Sequence, residues 1–290
     1  MKKSALATVA VLALIAGPSI ALADDAPAAP APAPAATPAA APASPITYNI
    51  GVVSDYRYRG ISQTKMKPAL QGGVDWAGGA FYAGTWLSTI GWVKDSMVAY
   101  NRAGAAAAAA DETTFTPVGE KGAPLEWDLY GGMKGDIIKD TLTYDVGGLA
   151  YVYLGQKFHD IGLSNPDTGE VYGALTYGVF TAKVSISATP LFGMPKSKGS
   201  QYYDLSANFD LGSGFTLTPD VGYQNITGSV AKAADASYTD YSVTLGKDFG
   251  GGLSASLQVL ATDASKSFYV TSAGKFTGRT GVVAGVKYSF

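Results

Sequence analysis

The chain has 290 residues, a formal net charge of -2, 36 Gly, 18 Tyr, one His and no Cys. Without Cys there are no disulfides or thiolate metal sites, and a single His removes any His-cluster metal site, so no metal or cofactor is expected. Near-neutral charge gives no case for nucleic acid, and beyond the first residues no apolar run approaches the ~20 residues that a membrane-spanning helix needs.

Lys2 and Lys3 precede an apolar run from Ala5 to Ala16, Gly17-Pro18 breaks it, and Ala21-Leu22-Ala23 offers small residues for cleavage. Residues 1–23 therefore read as a secretory signal peptide. Residues 24–45 are almost only Ala and Pro, a composition that cannot bury a core and stays extended, with a reach of roughly 60 to 70 Å. This periplasmic linker is either an inert spacer or a contact for peptidoglycan or a periplasmic partner.

From Ile46 onward the chain, residues 46–290, alternates with period two, the signature of strands with one greasy and one polar face. Tyr48, Ile50 and Val52 alternate with Asn49 and Gly51; Leu70, Val74 and Trp76 alternate with Gln71 and Asp75; Ala77-Gly78-Gly79 turns the chain into Phe81, Ala83 and Leu87. Trp127, Leu129 and Met133 oppose Glu126, Asp128 and Lys134, and Leu142, Tyr144 and Val146 follow a polar turn. Val171 to Tyr177 leads through Gly178-Val179 to Phe180 to Ile186, Tyr203 to Phe209 leads to Phe215 to Tyr223, and Tyr241 to Phe249 leads to Leu253 to Val259. Gly281 to Phe290 closes the set at twelve strands. Pro219 sits mid-strand, where proline marks an edge or bulge, and Gly147-Gly148 leaves the parity of Tyr151 and Tyr153 open.

Short links near 77–79, 135–140, 178–179, 211–214 and 249–252 alternate with long ones near 57–68, 90–124, 155–169, 191–200, 225–237 and 264–278. That alternation predicts an all-β, closed antiparallel transmembrane β-barrel with short periplasmic turns and long external loops, placed in the bacterial outer membrane. Ten aromatics on the outward parity beside the short turns, from Tyr48 and Trp76 to Tyr288 and Phe290, would form the inner girdle at the lipid interface. The aromatic-ended last strand resembles the carboxy-terminal signature of outer-membrane barrels, which implies that Phe290 engages the barrel assembly machinery.

Ser54-Asp55-Tyr56-Arg57-Tyr58-Arg59-Gly60-Ile61-Ser62-Gln63-Thr64, with Pro68-Ala69 and Phe81-Tyr82-Ala83-Gly84-Thr85-Trp86, resembles the opening of the TorF porin family, formerly described as the Gcw family of unknown function. The resemblance covers about the first three strands and implies a porin in the outer membrane.

Inward parity places Asp55, Asp75, Glu126, Asp128, Asp145, Asp204, Asp220 and Asp240 in the lumen against Arg57, Lys183 and Lys287, with Arg59 inward only if the first strand continues that far. The acidic excess predicts a weak cation preference. These charges either form a constriction that screens small solutes or ions, or a salt-bridged network that plugs the lumen; twelve strands permit both. The first reading is a porin, the alternative a structural or adhesin-type barrel with a plugged lumen, and monomer and trimer are both compatible. The 90–124 segment is expected as an exposed surface loop, the alternatives being an inward constriction or a short helix through Ala105 to Ala110. A lipid hydrolase would need a nucleophile beside a base. His159 with Ser164 is the one His-Ser candidate, with no acidic orienter beside it, and no enzyme is expected.

Overall fold

A computed structural model describes residues 44–111, 113–119, 122–156, 158 and 164–290. The expected export segment, nearly all of the Ala/Pro linker, His159 and Asp160 lie outside the described residues. The strands are β1 (Ile46–Val53), β2 (Arg57–Tyr58), β3 (Ile61–Ser62), β4 (Ala69–Gly78), β5 (Phe81–Thr89), β6 (Leu125–Ile138), β7 (Leu142–Val152), β8 (Thr168–Tyr177), β9 (Phe180–Ser187), β10 (Gln201–Ala207), β11 (Phe209–Gly212), β12 (Phe215–Asn225), β13 (Tyr238–Gly250), β14 (Leu253–Thr262) and β15 (Gly281–Ser289).

Each wall strand pairs antiparallel with its neighbours in chain order, and β1 pairs with β15, so the sheet closes on itself. The hairpin β2–β3 stands apart from this wall. Since β10 and β11 are two halves of one strand, the wall is a twelve-stranded barrel. Pro219 explains the split. Ser206 opposite Asp220 and Phe209 opposite Leu217 belong to one register, which brings the break at Ala207 and Asn208 opposite Pro219 and Thr218. A proline has no N–H to donate, so one rung of the ladder is lost there. At Gly147-Gly148 the register with β6 runs on unchanged, so the parity does not flip and Tyr151 faces inward, fully buried.

The outer wall is predominantly apolar. Leu70, Leu87, Val171, Leu205, Val259 and Val286 are all exposed, which in water would be a large unpaired hydrophobic surface and in a bilayer is the lipid-facing band. The aromatics beside the short turns are exposed on the same face, Phe81 and Phe180 among them. Phe290 exchanges two backbone hydrogen bonds with Tyr48, each 2.9 Å, and their rings stack at 5.7 Å, so the seam between first and last strand is sealed by this pair.

The hydrophobic core lies inside the end of the barrel that carries the long loops and is built largely by them. Here one expectation is corrected. The 90–124 segment is not simply an exposed loop: it carries a helix, α1 (Trp92–Ala110), that runs well upstream of the alanine run and buries Trp92, Val93, Asp95, Ser96, Met97 and Ala99. Alanine supplies helix propensity, while Trp92 and Met97 supply the apolar face that docks it, Trp92 lying edge-on to Tyr153 at 5.1 Å. Asp95 ties the helix to two other loops: it accepts from Lys65 Nζ at 3.1 Å and from the Ser272 N–H and hydroxyl at 2.7 and 2.8 Å. Two further short helical turns, α2 (Ser229–Ala233) and a 3-10 turn at Leu191–Gly193, complete the cap.

Candidate functional site: the lumen and its hairpin

β1 stops at Val53, and the chain then folds across the barrel mouth instead of rising as a surface loop. The root of this inward hairpin is the Asp55 carboxylate, buried, which accepts from Arg57 Nε at 2.6 Å and from the Ser62 and Thr64 hydroxyls at 2.6 and 3.0 Å. Its tip is Tyr58-Arg59-Gly60-Ile61, where Arg59 and Gly60 both have positive φ, 44° and 81°. That is the two-residue primed turn whose twist suits a hairpin. Gly60 is required twice: for its backbone angle, and because a Cβ there would stand 2.3 Å from Thr262 Cγ2 and 2.9 Å from Asp240 Cβ.

The turn projects Arg59 into the lumen, where its side chain is 1% exposed. Nη2 donates to Glu170 Oε2 at 3.0 Å and Nη1 to Gln224 Oε1, residues 111 and 165 positions away on β8 and β12. The guanidinium lies 4.0 Å from the Tyr202 ring centre and 4.6 Å from that of Tyr58, cation–π distances that count for more once water is excluded. Tyr202 in turn donates to Asp240, 3.2 Å from either oxygen, and Gln224 Nε2 donates to the Gln201 carbonyl at 3.0 Å. One hairpin cation is thus held by three wall strands at once.

A second knot sits beside it. Glu126 on β6 accepts from the Tyr56 hydroxyl at 2.6 Å and the Tyr153 hydroxyl at 2.7 Å. Burial and the nearby Glu126 carboxylate push the Tyr56 hydroxyl well above its usual range, so it remains a donor. Asp128, two residues on, is buried, and its two oxygens have no hydrogen-bond partner among the described residues. Phe192, at the 3-10 turn, packs against Tyr58, Tyr151 and Tyr153 at 5.9, 5.5 and 6.3 Å.

The twelve charges picked out by parity fall into three levels. Asp55, Arg59, Glu126, Asp128 and Asp240 are buried in the half that carries the long loops. Asp75, Asp145, Lys183, Asp204 and Asp220 are half-buried further along the lumen, and Lys287 is exposed near the short turns. The middle level carries its own network: Tyr130 donates to Asp75, Tyr82 to Asp145, and Lys183 Nζ lies 5.0 Å from the Tyr172 ring. Arg57 stands at the rim, 5% exposed. Arg59 reaches the lumen through the hairpin, not through a longer first strand. Reasoning from sequence missed Glu170, Gln224 and Tyr202; each lies on the inward parity, one position outside a run recognised as a strand.

Of the His159–Ser164 candidate only Ser164 is among the described residues, and it is exposed.

Among solved structures the chain is similar to the NanC porin in a rhombohedral crystal form, at 9% identity over 84% of this chain and 98% of that one, TM-score 0.47. It is also similar to LpxR from Salmonella typhimurium, at 13% identity over 84% and 99%, TM-score 0.42. OprD from Pseudomonas aeruginosa gives 11% identity over 85% and 66%, TM-score 0.37. Nothing about activity rests on these likenesses. No curated protein matches the sequence. The model of one family, Gcw_chp, described as a bacterial protein of unknown function, matches residues 37–290. That span takes in the whole barrel and the inward hairpin, and the chain belongs to the Gcw_chp family.

Proposed function

We propose that this chain is a porin-like barrel of the outer membrane whose polar lumen opens toward the periplasm and is closed at its external end by its own hairpin. Residues 1–23 export it, residues 24–45 tether it, and Phe290 presents the last strand to the assembly machinery. The observation that carries the reading is the Arg59 latch. A buried ion pair spans the lumen from a loop to the far wall, and such a pair is costly to desolvate and suits a two-state element more than it adds stability. Passage of small hydrophilic solutes or ions then follows displacement of the hairpin, and no chemical step is assigned to the barrel. Asp75, Asp145, Asp204 and Asp220 outnumber Lys183 in the middle of the lumen, which supports a weak cation preference.

Single-channel recording of the refolded protein in a planar bilayer tests this. Brief, infrequent steps with a cation-selective reversal potential in a salt gradient are expected. Continuous large steps would remove the closed hairpin from the account, and an anion-selective potential would remove the acidic lumen.

A second reading has its own support. Trp92, Tyr153, Phe192 and Tyr58 pack as one aromatic cluster across the mouth, a plug held by far more than one ion pair. A folded barrel that stays silent even when the latch is cut would make the protein a structural or adhesin-type barrel.

A further inference from the structure

At the rim of the barrel, where β1 leaves the wall and β15 enters it, Ser54, Arg57, Met66, Arg279, Thr280 and Val282 line a cavity of about 340 Å³. Arg57 is fixed within it by four bonds: Nε to Asp55, and Nη1 to the carbonyls of Gly60, Thr277 and Arg279 at 2.9, 2.9 and 3.1 Å. Nη2 has no hydrogen-bond partner among the described residues. It packs on the backbone of Gly281, where a Cβ would stand 3.2 Å from it, so the wall is pared back at the one free edge of the guanidinium.

Asp55 also lines the cavity; its carboxylate offsets Arg57 and both of its oxygens are already engaged by Arg57, Ser62 and Thr64, so with Arg279 the lining carries a net single positive charge. Burial holds the Arg57 guanidinium below its usual range against the opposing effect of Asp55, and Arg279, exposed, adds a smaller push in the direction of burial. Two guanidinium groups in one pocket are an arrangement that an anion relieves, and their planar forks suit phosphate oxygens.

The pocket's depth says which anion. Val282 lines it and is exposed, and Val52, two residues before Ser54, is exposed on the same outward parity, at the end of the barrel that carries the long loops. It therefore lies at the level of headgroups in the outer leaflet.

We propose that this pocket holds a phosphate group of an outer-leaflet lipid headgroup, with Arg57 Nη2 and Arg279 as charged donors and the Ser54 and Thr280 hydroxyls as neutral ones. The site rests on the membrane reading of the barrel, and its test separates the two. Refolded protein, Arg279→Gln and Gly281→Ala are presented in mixed micelles with diphosphorylated lipid A or its dephosphorylated form, and retained lipid is counted by native mass spectrometry. The gel shift on heating, run in parallel, reports whether each barrel is folded. Preferential retention of the phosphorylated lipid by the wild type is expected, falling about tenfold in Arg279→Gln with the loss of one charge-assisted bond. Gly281→Ala should fall in the same direction, because its methyl crowds Nη2. Equal retention of the two lipids, undiminished retention in folded variants, or displacement of the lipid by inorganic phosphate at matched concentration would overturn the lipid site and leave the barrel standing. A wild type that shows no heat-dependent shift and does not insert would overturn the barrel reading itself.

Discussion

Cutting the Arg59 latch is the sharpest perturbation available, and Glu170→Gln does it with the fewest changed atoms. The substitution keeps the volume and one acceptor of Glu170 but leaves the Arg59 guanidinium, 1% exposed, without its counter-charge. Breaking one partner of a buried pair costs about 3 to 5 kcal/mol. Because the amide oxygen still accepts from Nη2 and Gln224 and the Tyr202 ring remain, the low end, about 3 kcal/mol, is appropriate. Each 1.4 kcal/mol is tenfold in an equilibrium, so the ratio of closed to open hairpin should fall by about two orders of magnitude. The barrel wall is untouched, since Glu170 points inward from β8. The assay is open probability in single-channel recordings, with the gel shift on heating as the control for folding. A control pair, Arg59→Met with Glu170→Leu, replaces charge with apolar volume and should stay closed, as such replacements of buried ion pairs often are neutral or stabilising. A folded Glu170→Gln with the open probability of the wild type would refute the latch.

Gly60→Ala should act in the same direction, by strain: φ of 81° disfavours a side chain, and the methyl meets Thr262 and Asp240. About 1 to 3 kcal/mol is expected, read as faster protease cleavage within residues 54–64. Asp95→Asn weakens the ties from α1 to Lys65 and Ser272, and faster trypsin cleavage at Lys94 or Arg102 should follow with little change in barrel stability. Opposite parity should separate Val243→Arg from Thr244→Arg: the first faces lipid and should cost about 2 to 4 kcal/mol of folding stability in vesicles, the second faces the lumen and should cost far less. Phe290→Ala removes the stack on Tyr48 and should lower the yield of folded barrel on refolding, with a loss of about 1 kcal/mol or more.

The wall was readable because its rule is local. A strand in a bilayer must present apolar residues at every second place, and Val282, Val286 and Tyr288 report that without any knowledge of their partners. Gly-rich links between such runs mark the turns for the same reason. Pro219 was readable as an irregularity but not as a split strand, since the lost rung concerns its partner at Ala207 and Asn208. The hairpin was hidden differently. Arg59-Gly60 is a turn signal, but two-residue strands on either side carry no periodicity, and what draws the turn inward is Glu170 and Gln224, far away in sequence. Asp128 and Glu126 were placed in the lumen by parity alone, yet Glu126 is engaged by Tyr56 and Tyr153, which reach it from two different loops. Trp92, Val93 and Met97 are apolar residues in a long link; that they are buried, with Trp92 docked on Tyr153, is a tertiary fact.

The central claim is that the lumen is reached from the periplasmic side and closed from outside. As the chain has no Cys, Thr244→Cys places a single thiol on the inward face of β13, half-buried, without background. In vesicles that hold barrels of both orientations, a membrane-impermeant thiol reagent is added outside only, and protease access to the long loops gives the fraction of each orientation. Labelling should match the fraction with short turns outward. Labelling of barrels with their long loops outward at the same rate would contradict a closed external end.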